Sequence, residues 1–226
     1  MKKLLLLSLL ALTSAVAARA EQTRREEYVI RVESCEAILR EFMANPETAI
    51  PPAVLQQAHA LVIVNQFKAG FIIAVKDGYG VIMVKRTNGT WSIPVLVSAG
   101  ELSLGFQIGA NATNTVIVIT DDATPRIMFD HRLNIGVDAK AVAGPRVAEA
   151  DKVSQALLTT PLIVYTKARG LYAGATVKSG WIDRTDEANF VLYSTRFTMP
   201  ELLYSDWVKP VPEVLPLMDY VKQIAP

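Results

Sequence analysis

One cysteine and two histidines in 226 residues leave little from which to build a thiol or imidazole catalyst or a transition-metal site. The lone thiol, Cys35, also excludes an internal disulfide, so stability has to come from a packed core. An excess of charge of either sign is missing too: 23 basic side chains stand against 22 acidic ones. Bulk nucleic-acid binding is thereby excluded, because it relies on clustered positive charge to displace counterions. Any anion binding must come from a local patch. After residue 20 no apolar run approaches the eighteen or so residues of a membrane-crossing helix. A transmembrane β-barrel is excluded by strands of about six to nine residues and by the lack of aromatic girdles.

Catalytic signatures are equally scarce. The nearest approach to a nucleophile elbow, Gly100-Glu101-Leu102-Ser103-Leu104-Gly105, misses the Gly-x-Ser-x-Gly spacing and lies inside a strand. No Walker loop is present, and Gly78-Tyr79-Gly80 is too short for a dinucleotide fingerprint and leads into a strand rather than a helix. His59 stands at a helix-to-strand junction with no acid or nucleophile near it in the sequence, which makes it structural or exposed rather than catalytic. Asp121, Asp122, Asp130 and His131 match no metal-ligand spacing. The expectation is a protein that is not an enzyme and needs no cofactor and no metal.

What is there begins with a leader. Lys2-Lys3, an apolar run from Leu4 to Leu12 and the small residues that follow form the three-part layout of a secretory signal peptide, residues 1–20, cleaved after Ala20 or after Ala17. Ala20 is preferred, since Glu21 then opens a polar terminus. Removing Lys2, Lys3 and Arg19 leaves 20 basic against 22 acidic side chains, a net charge of −2. The only cysteine is far from the leader, which argues against a lipid anchor. The rest, 21–226, reads as one exported domain in the periplasm or outside the cell, soluble and without a transmembrane segment after processing.

From Thr23 to Ala44, Tyr28, Val32, Cys35, Ile38, Leu39 and Phe42 recur at three- and four-residue steps, an amphipathic helix with Cys35 as an inert packed thiol on its apolar stripe. A short helix restarts over 50–58 with proline in its first turn. Leu61–Val64 is the first strand. The stretch Lys68–Ala110 then reads as four strands, with breaks at Asp77–Gly80 and at Asn88-Gly89, the latter a hairpin dipeptide whose two residues both want positive φ. Apolar residues on both alternating faces mark these strands as covered on both sides. Leu102, Leu104, Phe106 and Ile108 alternate with Ser103, Gly105, Gln107 and Gly109, so one face is nearly bare and close packing is expected there. Thr115–Thr120 is another strand, followed by a turn and a short helix to Phe129. Leu133–Ala143 reads as a single half-buried strand, 146–160 as a surface loop, 162–166 and 170–178 as a strand pair, and 185–193 and 213–224 as helices. The fold class is therefore α+β: a mainly antiparallel, strongly curved or barrel-like sheet with an N-terminal amphipathic helix and short flanking helices.

An ordered series of motifs carries a resemblance. It comprises Ala37-Ile38-Leu39 with Phe42, Ile50-Pro51, Val54-Leu55, Lys68-Ala69-Gly70-Phe71, Gly80-Val81, Gly89-Thr90-Trp91-Ser92 with Pro94, and Ser103-Leu104-Gly105-Phe106-Gln107-Ile108-Gly109. Ala143-Gly144-Pro145 and Tyr165 with Gly170-Leu171-Tyr172-Ala173-Gly174 complete it. The chain resembles the SYLF domain family over about residues 35–178. That resemblance implies a lipid-binding module that recognises anionic phospholipids, with a basic N-terminal helix assisting, and actin binding in some eukaryotic members. Here the helix carries as many acids as bases and no stretch reads as a companion SH3 domain, so the actin role is not expected to transfer.

The leading expectation is an exported module that meets anionic phospholipids or a membrane surface through Lys68, Lys76, Lys85 and Arg86 around the first hairpin and Arg24, Arg25 and Arg31 on the helix. The alternatives are a structural or scaffolding protein with a partner in the cell envelope, or a carrier enclosing an acyl chain.

Overall fold

Ala60–Val64 and Val81–Val84 are apolar at every position and buried at every position, which a strand tolerates only when both of its faces are covered. The computed structural model describes the backbone of residues 2–69, 75–104, 112–168, 171–172 and 177–226, and the side chains of residues 19–66, 78–100, 113–167 and 180–226. In chain order the helices and strands are α1 (Lys2–Met43), α2 (Pro52–Leu55), β1 (Ala60–Ala69), β2 (Val75–Val84), β3 (Val95–Leu104) and β4 (Ala112–Ile119). The 3-10 helix Thr124–Phe129 leads to β5 (Leu133–Ile135) and β6 (Ala141–Ala143). Another, Val147–Lys152, precedes α3 (Gln155–Leu158), β7 (Leu162–Ala168), β8 (Leu171–Tyr172) and β9 (Val177–Arg184). The chain ends with α4 (Asp186–Tyr193), α5 (Met199–Tyr204), the 3-10 helix Pro212–Val214 and α6 (Leu215–Ile224).

The strands run in the order β5-β9-β3-β2-β1-β4-β7-β6, with β8 added to β7. Pairings are antiparallel except for β6 on β7. The two ends of this order, β5 and β6, are separated in sequence only by residues 136–140, a span of at most about 20 Å. A sheet whose outermost strands are tied so closely has to curl, and it forms a nearly closed barrel. The expected α+β class and barrel-like sheet are observed.

One side of each central strand faces helices. The stripe on α1 places Val32, Cys35, Ile38, Leu39 and Phe42 in the core, and the Cys35 thiol lies 3.6 Å from the Ile63 carbonyl. Full burial of Leu39 and Phe42 contributes roughly 1.5–3 kcal/mol each. Burial pushes the Cys35 thiol up to about 12, so it stays protonated and inert. The opposite side, with Val62, Val64, Ile82, Ile117 and Val164 at alternating and cross-strand positions, lines the barrel interior. Asn189 locks α4 onto β3: its amide accepts from Leu96 N at 2.8 Å and donates to Leu96 O at 2.9 Å. The Trp91 indole donates to Ala225 O at 2.8 Å and holds the end of α6 against the β2–β3 hairpin.

Several sequence expectations are corrected. Asp77–Gly80 is not a break but part of β2, in register with Phe67–Val64 of β1. Its glycines serve close strand approach: a Cβ at Gly80 would sit 2.3 Å from the Ile63 carbonyl oxygen. Asn88-Gly89 does join antiparallel neighbours, yet only Gly89 has positive φ, +80°, while the Asn88 carboxamide oxygen accepts from Thr90 N at 3.0 Å. Leu133–Ala143 is two strands, because Gly136 at φ +81° turns the chain away from β9 and towards β7. Residues 146–160 contain a 3-10 helix and α3 rather than a plain loop, and α5, six residues opening on a Thr198–Glu201 capping box, was not foreseen. Residues 95–104 form one continuous strand, and the glycine-bearing continuation at 105–109 lies outside the described residues, as do 70–74 and 173–176.

The glycine argument is testable. Gly80→Ala is expected to lower unfolding stability by about 2 kcal/mol or more, since a neighbouring strand's backbone has to move. Gly89→Ala, with open space around it but positive φ, is expected to cost about 1 kcal/mol. Urea titrations of both variants check the ranking; equal losses would remove the close-approach role of Gly80.

Candidate functional site

The seven cations singled out from the sequence fall in three places. On α1, Arg24 Nη1 lies 3.4 Å from Glu187 Oε1 of α4, and Arg25 Nη1 lies 2.9 Å from Glu213 Oε1 in the last 3-10 helix. Arg31 pairs with Glu27 at 2.6 Å and sets its guanidinium over the rings of Tyr28 and Tyr79, 5.2 Å from each. These contacts dock α1: it crosses β2 at Tyr79, β1 at Ile63, and reaches β7 where Lys167 Nζ meets Glu41 at 2.7 Å.

A second group sits at the β2–β3 hairpin. Arg86 is largely buried and closes the end of α5, donating to the carbonyls of Leu203, at 2.9 Å, and Ser205 and pairing with Asp206. Lys85 donates to the Pro226 carbonyl. Both therefore tie the C-terminal helices to the sheet.

The third group, Lys68 and Lys76, is at the other end of the same strands. They are direct cross-strand partners, between Phe67↔Asp77 and Ala69↔Val75. Nine strand positions separate Lys76 from Lys85, roughly 30 Å at a strand rise of about 3.3 Å. The hairpin cations are thus not one cluster: the backbone register sets Lys68 opposite Lys76, whose side chains lie outside the described residues, and leaves Lys85 and Arg86 at the far end.

Other polar groups that sequence reasoning passed over come together here. Arg146 pairs with Glu47 at 2.9 Å and with Glu149 at 3.0 Å, and Lys152 reaches the same Glu149. The Arg146 and Lys152 donors beside it hold the Glu149 carboxyl down at about 2, and the Arg25 hydrogen bond holds Glu213 below its ordinary range. His59 Nδ1 lies 2.8 Å from Asp122 Oδ1, 63 residues away in sequence, and both side chains are open to solvent. No nucleophile completes that pair among the described hydrogen bonds. Among the described residues no three His, Cys, Asp or Glu side chains converge as a metal site, and no helix is long and apolar enough to cross a membrane.

Inside the barrel, the missed residues are Gln66, Thr115 and Thr166. All three are buried, and the threonine hydroxyls are 3.4 Å apart. A sequence signal existed: β1, β4 and β7 each change from branched apolar to polar residues at the same level of the sheet, which only the register makes visible.

Comparison with known proteins decides the family. The Ysc84 family, described as Las17-binding protein actin regulator, matches residues 100–224. This chain belongs to the Ysc84 family. Within this family, known also by its SYLF domain, LAS seventeen-binding protein 3 of Saccharomyces cerevisiae is 32% identical over 174 residues, covering 76% of this chain and 38% of that protein. The SH3 domain-containing protein PJ696.02 of Schizosaccharomyces pombe is 32% identical over 167 residues, 73% of this chain and 39% of the relative. Human SH3 domain-containing YSC84-like protein 1 is 27% identical over 179 residues, 76% and 52% respectively. The chain therefore spans about two fifths to one half of these Ysc84-type relatives.

The ion pairs predict a pH dependence. A carboxyl with a lowered folded pKa contributes stability that is present above its unfolded value near 4.5 and is lost as pH falls through the folded value. The urea midpoint is expected to decline from about pH 5 towards pH 2. Arg25→Gln with Arg146→Gln should flatten that decline, and an unchanged slope in the double variant would show that these pairs do not set it.

Proposed function

We propose that this Ysc84-family chain is an exported, non-enzymatic binding module that recognises anionic phospholipid head groups through a local concentration of positive charge. The observation that carries this reading is the Lys68↔Lys76 rung of β1 and β2. Like charges placed directly across a strand pair repel, so the arrangement favours an anion nearby. Arg24, Arg25, Arg31 and Arg86 each have a carboxylate partner within the fold, and their contribution to a membrane is secondary.

A protein partner is the second reading. Its support is the family's description as Las17-binding and the name of the yeast relative, LAS seventeen-binding protein 3. For an exported chain the corresponding partner belongs to the cell envelope.

Flotation with vesicles distinguishes the two. Recovery is expected to rise with the fraction of phosphatidylglycerol in phosphatidylcholine vesicles and to fall between 50 and 500 mM salt, concentrations over which the screening length shrinks from about 14 to about 4 Å. Lys68→Gln with Lys76→Gln should lower recovery more than Lys85→Gln. Equal recovery on neutral and anionic vesicles would remove the lipid reading and leave the protein partner.

A further inference from the structure

Two clefts on the surface are walled by charges that satisfy one another, Arg24 with Glu187 in one and Arg146 with Glu149 in the other. A third hollow is of another kind. It lies between the β2–β3 hairpin and α6, has a volume of about 400 Å³, and is bordered by Gly89, Trp91, Met218, Asp219, Lys222 and Pro226. That volume falls within the range of small-molecule sites, and the lining is mostly apolar.

The hollow has local causes. Gly89 turns the hairpin at φ +80° and leaves the mouth clear, since a Cβ there would meet nothing within 4 Å. Trp91 is fixed by its indole hydrogen bond to Ala225 O, and Lys85 holds the Pro226 carbonyl, so the hairpin wall and the α6 wall are tied along one edge. On α6, Leu217 and Val221 face the core, which turns Asp219 and Lys222 outward, three residues apart on one helical face. Met218, packed against the edge of the core, completes an apolar floor with Trp91.

The charges at the rim define what fits. Neither Asp219 nor Lys222 has a hydrogen-bond or ion-pair partner among the described residues, although an acid and a base one helical turn apart attract each other. Both instead border the same apolar hollow. A simple anion placed there is repelled by Asp219, and a simple cation by Lys222. A plain hydrocarbon shields both charges from water and gives them nothing in return. The ligand that complements all three features carries an ammonium for Asp219, an anionic oxygen for Lys222 and an apolar body for Trp91 and Met218.

We infer that this hollow receives a zwitterionic phospholipid of the ethanolamine type, with its ammonium at Asp219, its phosphate at Lys222 and the start of its acyl chains against Trp91 and Met218. The two-carbon link of ethanolamine keeps the charges close enough for side chains roughly 5–6 Å apart on a helix. A free apolar amino acid carries the same two charges but lacks the chains that a hollow of this size accommodates. The site goes beyond the anionic head-group reading and does not depend on it, since it lies at the hairpin end, away from Lys68 and Lys76.

The test uses the full chain and titration calorimetry with short-chain phosphatidylethanolamine, phosphatidylglycerol and phosphatidylcholine, each below its micellar concentration, and with leucine. Phosphatidylethanolamine is expected to bind about threefold more tightly than phosphatidylglycerol, with phosphatidylcholine, whose ammonium has no N–H to donate, in between. Asp219→Asn should abolish that preference, and Lys222→Gln should weaken all three phospholipids about threefold. Met218→Ser, which removes part of the apolar floor, should weaken them about tenfold. Asp219 and Lys222 are exposed, so their variants should keep the thermal midpoint of the unchanged protein.

A preference for phosphatidylethanolamine that disappears in Asp219→Asn supports the site. Equal binding of phosphatidylethanolamine and phosphatidylglycerol, or a preference that survives Asp219→Asn, overturns it. Leucine bound as tightly as the phospholipids overturns the lipid as occupant, and no binding of any probe overturns the site itself. The anionic head-group reading stands or fails separately, by flotation with phosphatidylglycerol vesicles and its dependence on Lys68 and Lys76.

Discussion

The structure depends on covering both faces of one sheet. Ala60–Val64 of β1 and Val81–Val84 of β2 are buried on alternate sides, one beneath helices and one inside the barrel. Neither cover suffices alone. Without α1 the Leu39 and Phe42 stripe and the outer face of β1 would both meet water, and without the curl that ties β5 to β6 the inner face would. Hydrophobic burial on two sides makes the long central strands the most constrained part of the molecule. It also explains why α1 is held by charge at its flanks: Arg24, Arg25 and Arg31 fix where the helix lies, while Val32 to Phe42 provide the burial.

That division bears on the cations. From the sequence they looked like one set, since basic residues near a hairpin and on an adjacent helix are natural members of a surface patch. The fold assigns most of them partners that lie far away in the chain. Arg25 finds Glu213, Arg24 finds Glu187, and Arg86 finds the end of α5. Sequence distance hides such pairs, because nothing local to Arg25 indicates an acid 188 residues later. The Lys68 and Lys76 pair was hidden in another way. Placing a break at Asp77–Gly80 shortened β2, and only a strand running from Val75 to Val84 sets Lys76 opposite Lys68.

The same contrast governs what else was legible. Helix α1 and the Asn88-Gly89 hairpin could be read because their signals are local: a three-to-four-residue apolar period in one, a positive-φ glycine in the other. Gly78 and Gly80 were misread for an equally physical reason. Glycine marks turns by its freedom and strands by its smallness, and the sequence does not separate the two uses until the neighbouring strand is in place. Gly136 went the other way, taken as part of a strand where it turns the chain between β5 and β6. The interior polar rungs were invisible for lack of register. Gln66, Thr115 and Thr166 belong to three strands, and each alone is an ordinary strand residue.

The direction of the polarity change inside the barrel is informative in itself. A barrel closed for stability alone would be apolar along its whole axis, as it is around Val62, Ile82, Ile117 and Val164. The Gln66 amide has no partner for its Nε2 among the described residues and bears a desolvation cost, whereas the Thr115 and Thr166 hydroxyls pair with each other at 3.4 Å, so the polar level of β1 is less well satisfied than that of β4 and β7.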